Sequence, residues 1–117
     1  PEEIDVRVGT FEPTLAIQNT APVATNLMLL PDVPTSNDDL VASYAYYDED
    51  NHPEEGTEIR WYRNGVEVFT WSGRATISAV ETQVGDQIYY ILRPSDGIEF
   101  GSSTSLLDDQ GAVTVGA

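Results

Sequence analysis

The densest group of residues able to do chemistry is Asp48-Glu-Asp50-Asn51-His52-Pro-Glu54-Glu55-Gly56. Carboxylates at alternating positions put hard oxygen donors on one loop. Calcium takes six to eight such oxygens at about 2.3–2.6 Å, so Asp48, Asp50 and Glu54 are candidate calcium ligands. His52 stands among them, and an imidazole nitrogen is a poor calcium donor. The competing reading is a solvated acidic loop with His52 on its surface. The spacing to a terminal glutamate is not that of an EF-hand. Paired carboxylates are also the equipment of glycosidases. Here Glu54, Glu55 and Glu58 come with no other catalytic residue type, and no catalytic residue is assigned. The chain is expected not to be an enzyme and to require no cofactor, with calcium as a candidate ion.

A second group is aromatic and basic. If Trp61, Tyr90 and Leu92 point into a core, strand alternation sends Arg60, Tyr62, Tyr89, Ile91 and Arg93 to the opposite face. Tyrosine and arginine are enriched at interfaces. A chain of strongly negative charge would be attracted to such a face on a copy of itself. Cross-strand pairing on a solvated sheet is the plainer reading, and a sugar platform is the third. Trp71, in Phe69-Thr-Trp71-Ser-Gly73, lies near a turn, where an exposed indole would stack on a sugar ring. There is no Asn-x-Ser/Thr sequon.

The whole composition narrows the choice. The chain has 117 residues, 20 acidic against 5 basic, a net charge of −15, no cysteine and one histidine. All five basic residues are arginines, Arg7, Arg60, Arg63, Arg74 and Arg93. Without cysteine there is no disulfide and no thiolate chemistry. Without lysine there is no Walker-type phosphate loop, no Schiff base and no Lys–Asn isopeptide bond. A net charge this negative argues against nucleic acid and against an anionic membrane surface. No apolar run is long enough to span a bilayer, so no membrane insertion is expected. There is no leader pattern and no initiating methionine, from which a start inside a longer gene product or after a cleavage is expected.

The elements that must position these residues read as strands throughout. Period-two alternation, bounded by Gly, Pro, Asn and Asp, predicts strands at 24–30, 39–47, 58–63, 66–70, 74–79, 87–93, 98–107 and 112–115. Asn64-Gly65 is a strong hairpin signal, and Asp96-Gly97 marks a later turn. About seven short strands with regular turns imply an all-β sandwich of the immunoglobulin-like kind, with a buried Trp61. Asp86 lies four residues before Tyr90, the spacing of a tyrosine corner, and Leu92 stands where a disulfide-bonded domain would put cysteine. Trp61 is expected to pack against Leu92.

Asn19-Thr-Ala-Pro-Val-Ala24, Thr35-Ser-Asn-Asp-Asp-Leu40, Tyr44-Ala-Tyr-Tyr-Asp48, Gly56-Thr-Glu-Ile-Arg-Trp-Tyr-Arg-Asn-Gly65 and Arg93-Pro-Ser-Asp-Gly97 carry a resemblance. Over residues 19–107 the chain resembles the tandem extracellular immunoglobulin-like modules (fibronectin type III or PKD-like) of bacterial and archaeal surface and adhesin proteins. The resemblance implies an extracellular or cell-surface location and a role as spacer, adhesin stalk or appendage. It also implies a fuller Asp-x-Asp-Gly-Asp-x-Glu calcium loop, from which this chain departs with Asn51 for the glycine and His52 for the third aspartate.

Residues 1–20 form an extension ahead of the module at 21–117. Ile4, Val6 and Val8 alternate with Asp5 and Arg7, and Phe11, Leu15 and Ile17 follow, as in one or two strands with an apolar face. This segment either folds onto its own sheet or is donated to the next subunit. A donated strand hydrogen-bonds along an open edge while alternate side chains fill a groove, and a head-to-tail contact that does not close gives a filament. The leading expectation is a filament or appendage module whose partners are copies of itself or tandem neighbours. The alternatives are an adhesin or carbohydrate-binding module with a glycan partner, and an inert spacer.

Overall fold

Asn64 and Gly65 both adopt positive φ, 54° and 84°, the backbone a two-residue hairpin turn demands. They join β3 (Glu58–Arg63) to β4 (Val66–Glu67), with Arg63 opposite Val66. The computed structural model describes residues 19–117. The other strands are β1 (Val23–Leu30), β2 (Leu40–Tyr47), β5 (Thr76–Ile77), β6 (Gln87–Arg93), β7 (Thr104–Ser105) and β8 (Val113–Thr114). β1, β2 and β5 make one antiparallel sheet in that order. The other has the order β4-β3-β6, with β7 and β8 both pairing with β6. The protein is an all-β sandwich of two antiparallel sheets. Residues 1–18 of the extension expected at 1–20, and with them Ile4, Val6, Val8, Phe11, Leu15 and Ile17, lie outside the described residues.

The core follows from alternation on facing strands. Ile59 and Trp61 of β3 and Ile88, Tyr90 and Leu92 of β6 turn inward and are buried. Leu27, Leu29, Leu40 and Ile77 meet them from the other sheet. A bulge makes the contribution of β1 possible. Asn26 adopts φ 56°, and the register shifts between Thr25 and Met28. The extra residue restores phase, so Ala24, Leu27 and Leu29 all face the core. Trp61 lies directly opposite Tyr90 in the ladder, and Leu92 opposite Ile59. The Trp61 and Tyr90 rings are 5.2 Å apart, so the partner of Trp61 across the ladder is an aromatic ring and not Leu92.

Three expectations are corrected. The strand expected at 66–70 stops at Glu67, and residues 69–71 form a 3-10 turn that carries Trp71 inward. The strand expected at 98–107 is reduced to Thr104–Ser105 and runs into a 3-10 turn at Leu106–Asp108. The tyrosine corner is not formed. The Tyr90 hydroxyl crosses the sandwich and is 2.8 Å from the Met28 carbonyl and 3.1 Å from that of Ser43. Asp86 instead accepts from the Gln83 backbone N–H.

The break between β7 and β8 closes the sandwich along β1. Asp109 Oδ2 accepts from the Leu27 N–H, and Gln110 Oε1 accepts from the Leu29 N–H while its Nε2 donates to the Leu29 carbonyl. Two side chains thus imitate a paired strand, and the Leu27 N–H and both backbone polar groups of Leu29 are already bonded.

Candidate functional site

Asp48 ends β2, and Asp96 belongs to the turn that follows β6. Sheet packing brings them to the same pole of the sandwich. Both carboxylates are 0% exposed. Asp96 Oδ1 accepts from the backbone N–H groups of Ile98 and Glu99, both at 2.8 Å, and Oδ2 accepts from Asn19 Nδ2 at 2.9 Å. The Glu99 backbone contact, joined by those of Asn19 and Ile98, holds the Asp96 carboxyl well below the usual carboxylate range against its burial. It is therefore anionic at neutral pH. Asp48 Oδ1 accepts from the Asp50 N–H at 2.7 Å, which shapes the loop.

His52 reaches into this pair. Its Nδ1 lies 3.7 Å from Asp48 Oδ1 and 3.8 Å from Asp96 Oδ2. Donor atoms of Asp48, His52 and Asp96 all fall within 4.8 Å of one another. Asp50 and Glu54 are not in that group. Asp50 Oδ2 accepts from the Thr20 N–H at 2.6 Å, and Glu54 accepts from the Tyr44 hydroxyl. Of the three candidate calcium ligands the structure leaves Asp48 in the cluster, turns the other two to different partners, and adds Asp96 and His52. Asp96 was legible only as a turn residue beside Gly97. Its meeting with Asp48 depends on loops from non-consecutive strands.

The same cluster fastens the start of the module. Asn19 is bonded to Asp96 and Thr20 to Asp50. Pro22 is buried, and a Cβ on Gly101 would overlap the Pro22 carbonyl oxygen, so only glycine allows this approach. At the opposite end of β1, Gly116 lies beside Pro34–Ser36. Its carbonyl accepts from the Ser36 N–H, and its N–H donates to the Pro34 carbonyl.

The aromatic and basic residues fall on the outer face of the five-stranded sheet. Tyr62 and Tyr89 face each other across β3 and β6. Their rings stack 4.9 Å apart and nearly parallel. Arg93 lies over the Phe100 ring and 3.9 Å from Glu58. Arg60, opposite Ile91 in the ladder, lines an open groove with Tyr62 and Arg93. The Tyr62–Tyr89, Arg60–Ile91 and Glu58–Arg93 contacts are cross-strand pairs within one sheet.

Trp71 does not join this face, contrary to expectation. It is only 2% exposed, with its ring edge-on to Trp61 at 6.3 Å and its Nε1 donating to Glu81 Oε1. Burial of a large apolar ring outweighs the turn-forming tendency of its neighbours. Phe69, at 76% exposed, is the aromatic that the turn leaves outside.

Glu81 also forms a two-pronged bond with Arg74, at 3.1 and 2.8 Å. That bond, and then the Trp71 bond, lowers the Glu81 carboxyl from its ordinary value. A carboxyl lowered by folding contributes stability above its unfolded value of about 4.3, and that contribution is lost as pH falls through the folded value. Glu81→Gln is expected to reduce stability at neutral pH and to flatten the acid limb of melting temperature against pH. An unchanged slope between neutral and acid pH would remove this role.

Fold and cluster define a class: an all-β sandwich whose buried carboxylate pair and histidine sit where the chain enters β1, the first strand among the described residues. Compared with known protein families, curated proteins and solved structures, the chain matches none. Among the described residues no helix is long and apolar enough to cross a membrane.

Proposed function

We propose that this chain is a non-catalytic, immunoglobulin-like structural module of the cell exterior, joined in series with copies of itself or with neighbouring modules into a surface appendage. The observation that carries the reading is that Asn19 and Thr20 are held at the opposite pole of the sandwich from Gly116. Asn19 and Thr20 are clamped to the acidic loops at one pole, and Gly116 is bonded to Pro34 and Ser36 at the other. Between them runs the eight-residue β1, about 25 Å at the usual rise per residue. A module whose chain enters at one pole and reaches the other transmits tension along its strands. In this reading the apolar positions Ile4, Val6, Val8, Phe11, Leu15 and Ile17 contact the neighbouring subunit. The edge of β1 is occupied by Asp109 and Gln110. The short strands Val66–Glu67 and Thr76–Ile77, and the β7/β8 edge of the five-stranded sheet, are then the edges open to a donated strand.

Burial of Trp71 and the mutual stacking of Tyr62 with Tyr89 weigh against the sugar-binding alternative. Light scattering and negative-stain imaging of the full chain and of a chain lacking residues 1–17 test the proposal. Linear assemblies that disappear on truncation are expected. A full chain that stays monomeric at all accessible concentrations, or assemblies that survive truncation, would overturn donation by this segment.

A further inference from the structure

We propose that Asp48, His52 and Asp96 bind a divalent transition-metal cation of the zinc class. The ion would tie the two acidic loops together at the pole where Asn19 is bonded to Asp96. This deepens the serial-module reading by giving its clamped pole a ligand.

Charge balance is the first argument. Both aspartate side chains are fully buried, and among the described residues neither makes an ion pair with an arginine. Arg63 pairs with Asp86, Arg74 with Glu81 and Arg93 with Glu58. Burying adjacent carboxylates is costly unless a cation, or a proton shared between them, compensates their charge.

The second argument rests on two orphaned atoms. His52 Nδ1 and Asn19 Oδ1 are buried and, among the described residues, have no hydrogen-bond partner. His52 Nδ1 points between the carboxylates, at 3.7 and 3.8 Å, beyond hydrogen-bonding range. Two ligands on one zinc, each at about 2.0–2.1 Å, stand about 3.3 Å apart. The two His52 separations exceed this by a few tenths of an ångström, so the side chains would have to rotate inward to close on an ion. Asn19 Oδ1 belongs to the amide whose Nδ2 already holds Asp96.

The donor set selects the metal. Calcium needs six to eight oxygens, and Asp50 and Glu54 are engaged with Thr20 and Tyr44. One imidazole nitrogen with two carboxylates suits zinc and its first-row neighbours. The backbone N–H groups of Ile98, Glu99 and Asp50 orient the two carboxylates, as the outer shell of a metal site does.

The test uses the full chain freed of metal with a chelator, then titrated with zinc chloride by calorimetry and followed by thermal melting. One zinc per chain and a melting temperature raised by several degrees are expected. Cobalt(II) in its place should give visible absorption of a low-coordinate N/O site. His52→Ala, changed at a half-exposed side chain, should keep the β-sheet circular dichroism and weaken zinc binding about tenfold or more. Asp48→Asn is the second variant, scored for binding if it remains folded. Absence of saturable zinc binding, zinc affinity unchanged in His52→Ala, or an equal response to calcium would each overturn the proposal. The assembly experiment, run in chelator, reads the length of the particles. Loss of zinc binding with intact polymers would therefore strike this inference alone.

Discussion

Trp61→Ala is expected to cost the fold about 3–5 kcal/mol, the range for removing a large buried aromatic. Whole domains are stable by about 5–15 kcal/mol, so this one change removes a large part of the reserve. Trp61 is fully buried at the centre of the aromatic cluster, edge-on to Trp71 and 5.2 Å from Tyr90. Its Nε1 donates to the Arg74 carbonyl at 2.8 Å, so truncation also leaves that oxygen without its donor. Rigid strands on both sides limit collapse into the cavity. Urea unfolding followed by fluorescence of Trp71 would measure the loss as a fall in midpoint at unchanged slope. A loss under about 1 kcal/mol would mean that Trp61 is not the packing centre.

Tyr90→Phe carries the second largest expected effect, about 1–3 kcal/mol, for buried carbonyls deprived of their donor. The hydroxyl reaches Met28 and Ser43, which lie opposite each other on β1 and β2. It thereby links the two sheets at their midpoints. Burial pushes the phenol up to about 12, against the two backbone bonds that lower it. A group raised by folding contributes stability that is complete below its unfolded value, about 10 for tyrosine, and is lost as pH rises through the folded value. The wild-type chain should therefore lose stability between about pH 10 and pH 12. Tyr90→Phe should start lower and decline less steeply. Tyr44, raised by burial and by its Glu54 bond, contributes to the same limb, so the slope shrinks without vanishing. Equal stability of variant and wild type at neutral pH would show that the cross-sheet bond is exchangeable with water.

Where local pattern and tertiary packing agree, the strands lie where alternation puts them. Glu58–Arg63 and Gln87–Arg93 have the bounds that their period-two patterns predict. Asn64-Gly65 turns where its chemistry requires. Where packing competes with pattern, packing wins. Val68 to Thr70 continue an apolar alternation, yet the chain leaves the sheet at Glu67 so that Trp71 can reach the core. Ile98 to Gly101 do not extend a strand, because Asp96 draws the backbone N–H groups of Ile98 and Glu99 onto its own carboxylate. The bulge at Asn26 has no clear mark in Val23–Leu30 beyond the phase mismatch between Ala24 and Leu27.

The polar cluster shows the same division. Asp48 was legible as a candidate ligand because it opens an acidic loop, and Asp50 and Glu54 shared that signal. Nothing local distinguishes a carboxylate turned toward Thr20 or Tyr44 from one turned toward a common centre. By itself the sequence determined the β class, the central strands, the hairpin turn, the aromatic core and the excess of negative charge. Those properties depend on period-two alternation, on turn chemistry and on composition, all of which act over a few neighbouring residues. Only the tertiary structure decided that Trp71 is buried, that Tyr90 spans the sheets, that Asp109 and Gln110 seal β1, and that Asp48 meets Asp96 and His52. Each joins residues far apart in the chain, and they meet only when two sheets pack and bring loops from non-consecutive strands to one pole.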